Sequence, residues 1–321
     1  MINHAAEKIW EVIVVGGAAA GLTAALYASR RGLSTLVITA DLGGQMSITD
    51  DIANYPGIDF ITGPGLTTAV RNQALKYGAT ITLDRVLAVT AGAPHQITTT
   101  QGHYQARTVI LAFGLTPRWL GVEHEATLTG RGVSYEVSAE LSPYRDQVVA
   151  VVGGGNAAVT AAIRLATVAK TVYVIHRRDE FSAEATLKQQ LAQPVNVVIR
   201  LASEVVGLRG DERLTGIEVH DIVSDTVETL AVDQLIIHIG YQTNTAWLDG
   251  VVTRNERGLI VIDDRCRTSQ PGIFAAGDVT TIPYKQIVIS AGEGAKAAIA
   301  AEQYLAHRPD TDPVIPDWGT K

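Results

Sequence analysis

Two stretches of the chain repeat one hydrophobic pattern: an unbroken apolar run, a glycine turn, then a helix rich in alanine. Residues 12–32, VIVVGGAAAGLTAALYASRRG, carry the first, and residues 147–181, QVVAVVGGGNAAVTAAIRLATVAKTVYVIHRRDEF, the second. Short unbroken runs of Val and Ile predict strands buried on both faces, as in a parallel sheet covered by helices. The first strand is predicted to end at Val15, and its helix to stop at Gly32 as a C′ glycine. The strand after the second helix is predicted over Val172–Ile175.

Residues 95–114 and 213–240 read differently. Apolar and polar positions alternate there between turn signals, which predicts antiparallel strands followed by a return strand into each sheet. The order is βαβ, hairpin, βαβ, hairpin, then a last strand and helix. It predicts an α/β fold of two Rossmann-like, three-layer ββα domains, the second inserted in the first. The expected boundaries are 1–117 with 246–321 for the outer domain and 118–245 for the inner one.

The turns carry candidate chemistry. Gly16 and Gly21 take the first and third glycine positions of a dinucleotide fingerprint, with Ala18 at the second. Glycines there let the backbone approach a pyrophosphate while the helix N-terminus turns free N–H groups toward it. The methyl of Ala18 weakens the match without removing it. Gly153, Gly155 and Ala158 complete a G-x-G-x-x-A in the second stretch. One fingerprint is weak evidence, and two on the same strand–turn–helix pattern are far stronger. His176, Arg177 and Arg178 follow the next strand, where an acidic residue would favour NAD and arginines favour the 2′-phosphate of NADPH. NADPH is therefore the expected nucleotide, with NADH a second one.

Composition acts mainly by exclusion. A chain of 321 residues suits two domains, and 46% hydrophobic against 18% charged residues suits wide buried sheets. No apolar run reaches the ~18 residues that would span a bilayer. The N-terminus has no basic region followed by an apolar stretch and a cleavage site. A soluble, cytoplasmic protein with no membrane partner is expected. The net charge of −7 argues against nucleic acid, which needs a basic face. Cys266 is the single cysteine, so no internal disulfide can form, and it reads as a small buried hydrophobe.

With LGGQMSITDDIANYPGI (42–58) and GIFAAGDVTTIPYKQIVISAGEGAKAA (272–298) added, nearly the whole chain resembles the low-molecular-weight thioredoxin reductase family of flavoproteins. Its C-terminal stretch is also similar to the flavoprotein subunit of alkyl hydroperoxide reductase. The resemblance implies FAD as cofactor, and a homodimer is expected because the C-terminal tail would have to cross to a second subunit to reach a flavin. It places Gly43, Gly44 and Gln45 along the adenosine and ribityl side, and Asn54 near the isoalloxazine. It gives Asp278, after Gly277, the ribityl hydroxyls, and Gln286 the pyrimidine edge. A helix starting after IPYKQ would turn its positive end toward the flavin. Tyr55 reads equally as a ring near the flavin or as core packing.

The chain departs from that family where it matters most for chemistry. The family carries a C-x-x-C dithiol just before the second fingerprint, and YEVSAEL occupies that place with Glu136 and Ala139 at the two cysteine positions. A flavin-to-dithiol relay needs both thiols. Glu136 is then either a catalytic candidate or a solvated residue at a helix start. Ser182 stands where NADPH-using relatives often have a further arginine. The tail contains Trp318, which either covers a flavin face in a second subunit or is a plain tail. Three functions stay open. Electrons from NADPH could pass through FAD to a ferredoxin, flavodoxin or similar acceptor. They could instead serve a thiol or peroxide partner through cysteines carried elsewhere, or the chain could bind nucleotides with vestigial turnover.

Overall fold

The protein is represented by a computed structural model that describes residues 8–49, 52–138 and 140–307. The chain opens with β1 (Ile9–Gly17), α1 (Ala19–Arg30), β2 (Thr35–Leu42), α2 (Gly63–Lys76), β3 (Thr80–Leu83), β4 (Val86–Thr90), β5 (His95–Thr99) and β6 (His103–Leu111). It continues with β7 (Thr116–Pro117), α3 (Glu125–Leu128), β8 (Val133–Ser134), β9 (Val148–Val152), α4 (Asn156–Ala166), β10 (Thr171–Ile175) and α5 (Ala185–Leu191). Then come β11 (Val197–Arg200), β12 (Ser203–Arg209), β13 (Gly216–Asp221), β14 (Thr226–Leu230), β15 (Gln234–Ile237), β16 (Tyr241–Gln242), β17 (Ile273–Ala275) and α6 (Ile287–Leu305).

Two compact units result. One runs to Ile48, resumes over Ile52–Leu115 and resumes again from Thr243; the other is built on Thr116–Gln242. In the first, the sheet order is β3-β2-β1-β6-β5-β4, with β17 also pairing β6. β1 runs parallel to β2 and β6, and β6 parallel to β17, whereas β4, β5 and β6 pair antiparallel. In the second, the order is β11-β10-β9-β15-β8, all parallel, beside an antiparallel β12-β13-β14 meander. Both expected hairpins therefore form.

The unbroken apolar runs explain the layers. Side chains alternate faces along a strand, so a strand covered on both sides needs apolar residues at every position. Val12 and Val14 of β1 pack with Ala24, Ala25 and Ala28 of α1 and Ala297, Ala298 and Ala301 of α6. Ile13 and Val15, on the opposite face, pack with Val89 and Ile97 of β4 and β5. Likewise Val149 and Val151 meet Ala158, Ala162 and Leu165 of α4, while Ala150 and Val152 meet Val205, Ile217 and Val219 of the meander. Each unit is thus a three-layer ββα sandwich.

Gly32 takes φ +79° just past α1, and Leu33 N–H reaches Ala28 O at 3.1 Å, the expected helix stop. β1 runs two residues beyond Val15, with its register to β2 shifting between Val15 and Gly17. Glu136 does not start a helix: Ser134 Oγ bonds both the N–H and the carbonyl of residue 136, and this local turn takes the backbone groups a helix would use.

Candidate functional site

In the first unit, β1, β6 and β17 deliver their carboxyl ends to one edge, where ligands of open α/β sheets bind. Gly16 (φ +113°) turns there against the Ala112 carbonyl, so close that no Cβ fits. Ala18 is the N-cap of α1 and supplies no side-chain cap, and the first turn holds no acid; its N–H groups are free for an anion. Gly21 sits within that helix, packed on the Gly16 carbonyl. Gly43 N–H bonds Gly17 O at 2.9 Å, and Gly44 lies opposite the Ala18 methyl. The Gln45 amide donates to Leu115 O at 2.7 Å.

Beyond β17, Gly277 leads into Asp278, whose Oδ1 accepts from Ser290 Oγ at 2.9 Å. Burial pushes this carboxyl up; the Ser290 bond and nearby Lys285 oppose the shift. Among the described residues Oδ2 has no protein partner, which suits a carboxylate awaiting ligand hydroxyls. Lys285 donates to Thr280 O at 2.7 Å. Gln286 is the N-cap of α6, and its Oε1 accepts from Asn54 Nδ2 at 3.1 Å, so the two are brought together. Tyr55 is half-buried against Ala19, Met46, Ile52 and Leu66. Ser290 and Lys285 are the residues the sequence reading missed.

The second unit repeats the edge. Gly153 (φ +144°) follows β9, Ala158 is buried in α4, and Gly155 is the N-cap of α4 with open space where a Cβ would stand. Asn156, the first residue of α4, exchanges two bonds with Glu184, Nδ2 to Oε1 at 2.8 Å and Oδ1 from its N–H at 2.9 Å. Ser182 is not idle in the missing arginine's place: its hydroxyl donates to Gly154 O at 3.1 Å. The His176 ring lies on Gly154 and stands 5.6 Å from Phe181. Burial, with Arg178 and Arg177 adding like charge, holds its pKa down, and a backbone bond at Glu180 opposes them. Arg177 and Arg178 are exposed, and neither is held in an ion pair among the described residues.

Glu136 follows β8 on the same edge, and its Oε1 accepts from Tyr241 OH at 2.6 Å. The parallel β8–β15 register, with Ile236 opposite Ser134, brings His238, the first residue after β15, level with Glu136. Neither Tyr241 nor His238 has a local sequence signal, since about a hundred residues separate them from Glu136. Ala139 and Trp318 lie outside the described residues. Cys266 is 0% exposed, and its thiol donates to Glu293 Oε2 at 3.1 Å. Burial and that bond push the thiol far above its ordinary range. No group of metal-ligating side chains occurs among the described residues, and no helix of theirs is long and apolar enough to cross a membrane.

Two parallel-sheet edges, each with an uncapped helix N-terminus, a buried carboxylate short of donors on one and two free arginines on the other, suit a flavin dinucleotide and a phosphorylated nicotinamide dinucleotide. The fold and these edges define a two-dinucleotide oxidoreductase. The chain belongs to the pyridine nucleotide-disulphide oxidoreductase family, whose model matches residues 10–303. Its cofactors are FAD and NADPH.

The chain is 39% identical over 308 residues to an alkyl hydroperoxide reductase component of Pseudomonas putida, covering 94% of this chain and 59% of that one. It thus spans under two thirds of that relative's length. It is 36% identical over 306 residues to thioredoxin reductase of Mycolicibacterium smegmatis, covering 94% and 98%. Among solved structures it is similar to Lactococcus lactis thioredoxin reductase in the FR conformation, with TM-score 0.77 and 29% identity over 93% of this chain and 99% of that one.

Proposed function

We propose that the protein is an NADPH-driven flavin reductase that serves a disulfide or peroxide partner through cysteines it does not itself carry. The observation that carries this reading is the replacement of the dithiol by Glu136 in a chain whose one thiol, Cys266, is buried and bonded to a carboxylate. The relatives named above are thioredoxin reductases and a peroxide-reductase component, which favours thiol or peroxide chemistry over the ferredoxin or flavodoxin acceptor.

Bound FAD would supply the two-electron chemistry that links NADPH to the acceptor. The unit containing Gly16 would hold FAD: the first turn of α1 would receive its pyrophosphate, Asp278 would accept from its sugar-chain hydroxyls, and the joined Asn54 and Gln286 would orient its polar edge. Thr116–Gln242 is assigned to NADPH: the first turn of α4 receives the pyrophosphate, and Arg177 and Arg178 grip the 2′-phosphate by charge-assisted bonds. Assembly as a homodimer belongs to the same reading.

Anaerobic NADPH oxidation with a panel of acceptors tests it. Turnover with a thioredoxin-type disulfide protein, or with a hydroperoxide and a cysteine-bearing partner, is the expected result. Turnover restricted to ferredoxin or flavodoxin would replace this reading with the one-electron acceptor.

A further inference from the structure

Reducing a disulfide or hydroperoxide with NADPH consumes a proton. The hydride carries two electrons and one proton, and the second proton must come from elsewhere: RSSR + NADPH + H⁺ → 2 RSH + NADP⁺, or ROOH + NADPH + H⁺ → ROH + H₂O + NADP⁺. A dithiol enzyme meets this need near its thiols, and this chain has none to use.

The second unit holds a further group of side chains at the end of its sheet, apart from the arginines that follow β10. β8, β9, β15 and β10 run parallel, so Glu136, Gly153, His238 and His176 all emerge at one sheet edge. Glu136 and His238 therefore stand on the same edge as the nucleotide fingerprint, on its β15–β8 side, away from Arg177 and Arg178. Tyr241 OH donates to Glu136 Oε1 at 2.6 Å and fixes the carboxylate. The backbone holds the imidazole's root, since His238 N–H bonds Val152 O at 2.8 Å. Among the described residues its Nε2 is buried with no hydrogen-bond partner, a state most buried polar atoms avoid.

We propose that Glu136 and His238 form a proton-transfer site beside the nicotinamide nucleotide, with Tyr241 as a positioning residue, and that it supplies the proton which acceptor reduction consumes. This rests on the functional reading above. Glu136, half-buried, gives its proton to the reduced acceptor; His238 behind it replaces that proton and is recharged from water. Burial holds the imidazole low, and the Glu136 charge opposes that shift.

Two readouts on the FAD-loaded protein test it. In the first, the His238 imidazole is followed by NMR against pH, assigned with His238→Gln. Glu136→Gln removes the charge that favours the imidazolium, so His238 is expected to titrate at lower pH. In the second, turnover with hydroperoxide or oxidised thioredoxin is divided by turnover with ferricyanide, whose reduction consumes no proton. That ratio is expected to fall at least tenfold in Glu136→Gln and about threefold in Tyr241→Phe, most steeply above pH 7. An imidazole titration that Glu136→Gln leaves in place, or an unchanged ratio, would overturn the site. Wild-type protein that reduces ferricyanide but neither disulfide nor hydroperoxide overturns the functional reading instead, a result the imidazole titration keeps distinct.

Discussion

The carbonyl of His238 lies against Gly153 so tightly that a Cβ at residue 153 would stand inside van der Waals contact of its oxygen and 2.9 Å from the Ala158 methyl. The end of β15 thus closes on the fingerprint turn of β9, and Gly153 holds φ +144°, where L side chains are strained. Gly153→Ala is expected to destabilise this unit by about 2–4 kcal/mol, from backbone strain plus displacement of His238. The urea midpoint measures the loss, and a wild-type midpoint would show that the turn yields freely.

Arg177 and Arg178 stand exposed after β10 without ion-pair partners among the described residues. Each charge-assisted bond to a phosphate contributes about 1.5–3 kcal/mol at best, and exposure reduces that. The double change Arg177→Ala with Arg178→Ala is expected to raise KM for NADPH by roughly tenfold or more while moving KM for NADH little. Equal effects on both nucleotides would mean that the arginines do not read the phosphate.

Asp278 links pH, stability and cofactor binding. Its folded pKa is raised by burial above the ordinary 3.8, so the native state binds more protons than the unfolded chain between those two values. Stability therefore falls as pH rises through that window and stays lower above it. Asn cannot ionise and still accepts from Ser290. FAD-free Asp278→Asn is expected to be more stable than FAD-free wild type at pH 7, with the difference vanishing below about pH 3.8. The same change should weaken FAD binding about tenfold through loss of a charged acceptor. Denaturant titrations at two pH values and flavin fluorescence report the two effects separately.

What could be read from the sequence was what is local or periodic. Val12–Val15 and Val149–Val152 are apolar at every position because helices cover one face and a meander the other. The glycine turns and the Arg177–Arg178 pair follow directly from those strands. Interactions across long stretches of sequence left no such mark. Tyr241 meets Glu136 only because β15 pairs with β8. Glu125, 1% exposed, accepts from Leu120 N, Gly121 N and Tyr135 OH at 2.8–2.9 Å, yet looks like any surface acid in the sequence. Of the two readings of Glu136, the helix start does not hold, because Ser134 offers the backbone a competing turn.

Cys266 decides whether the chain's own thiol takes part in turnover. It lies in the core of the first unit with Val12, Ala28 and Phe274, and its thiol donates to Glu293 Oε2, a carboxylate that also accepts from Lys296 Nζ at 2.8 Å. Burial comes first and the Glu293 bond and charge second in pushing the thiol up, so the nucleophilic thiolate is nearly absent at neutral pH. Native protein is expected to resist thiol reagents and to react with one equivalent only after unfolding. Serine keeps a donor toward Glu293, so Cys266→Ser should fold and retain turnover within about twofold, as for a conservative change outside the reacting groups. Rapid labelling of the native thiol, or loss of disulfide turnover in Cys266→Ser with FAD still bound, would make Cys266 a redox participant and remove the need for partner cysteines.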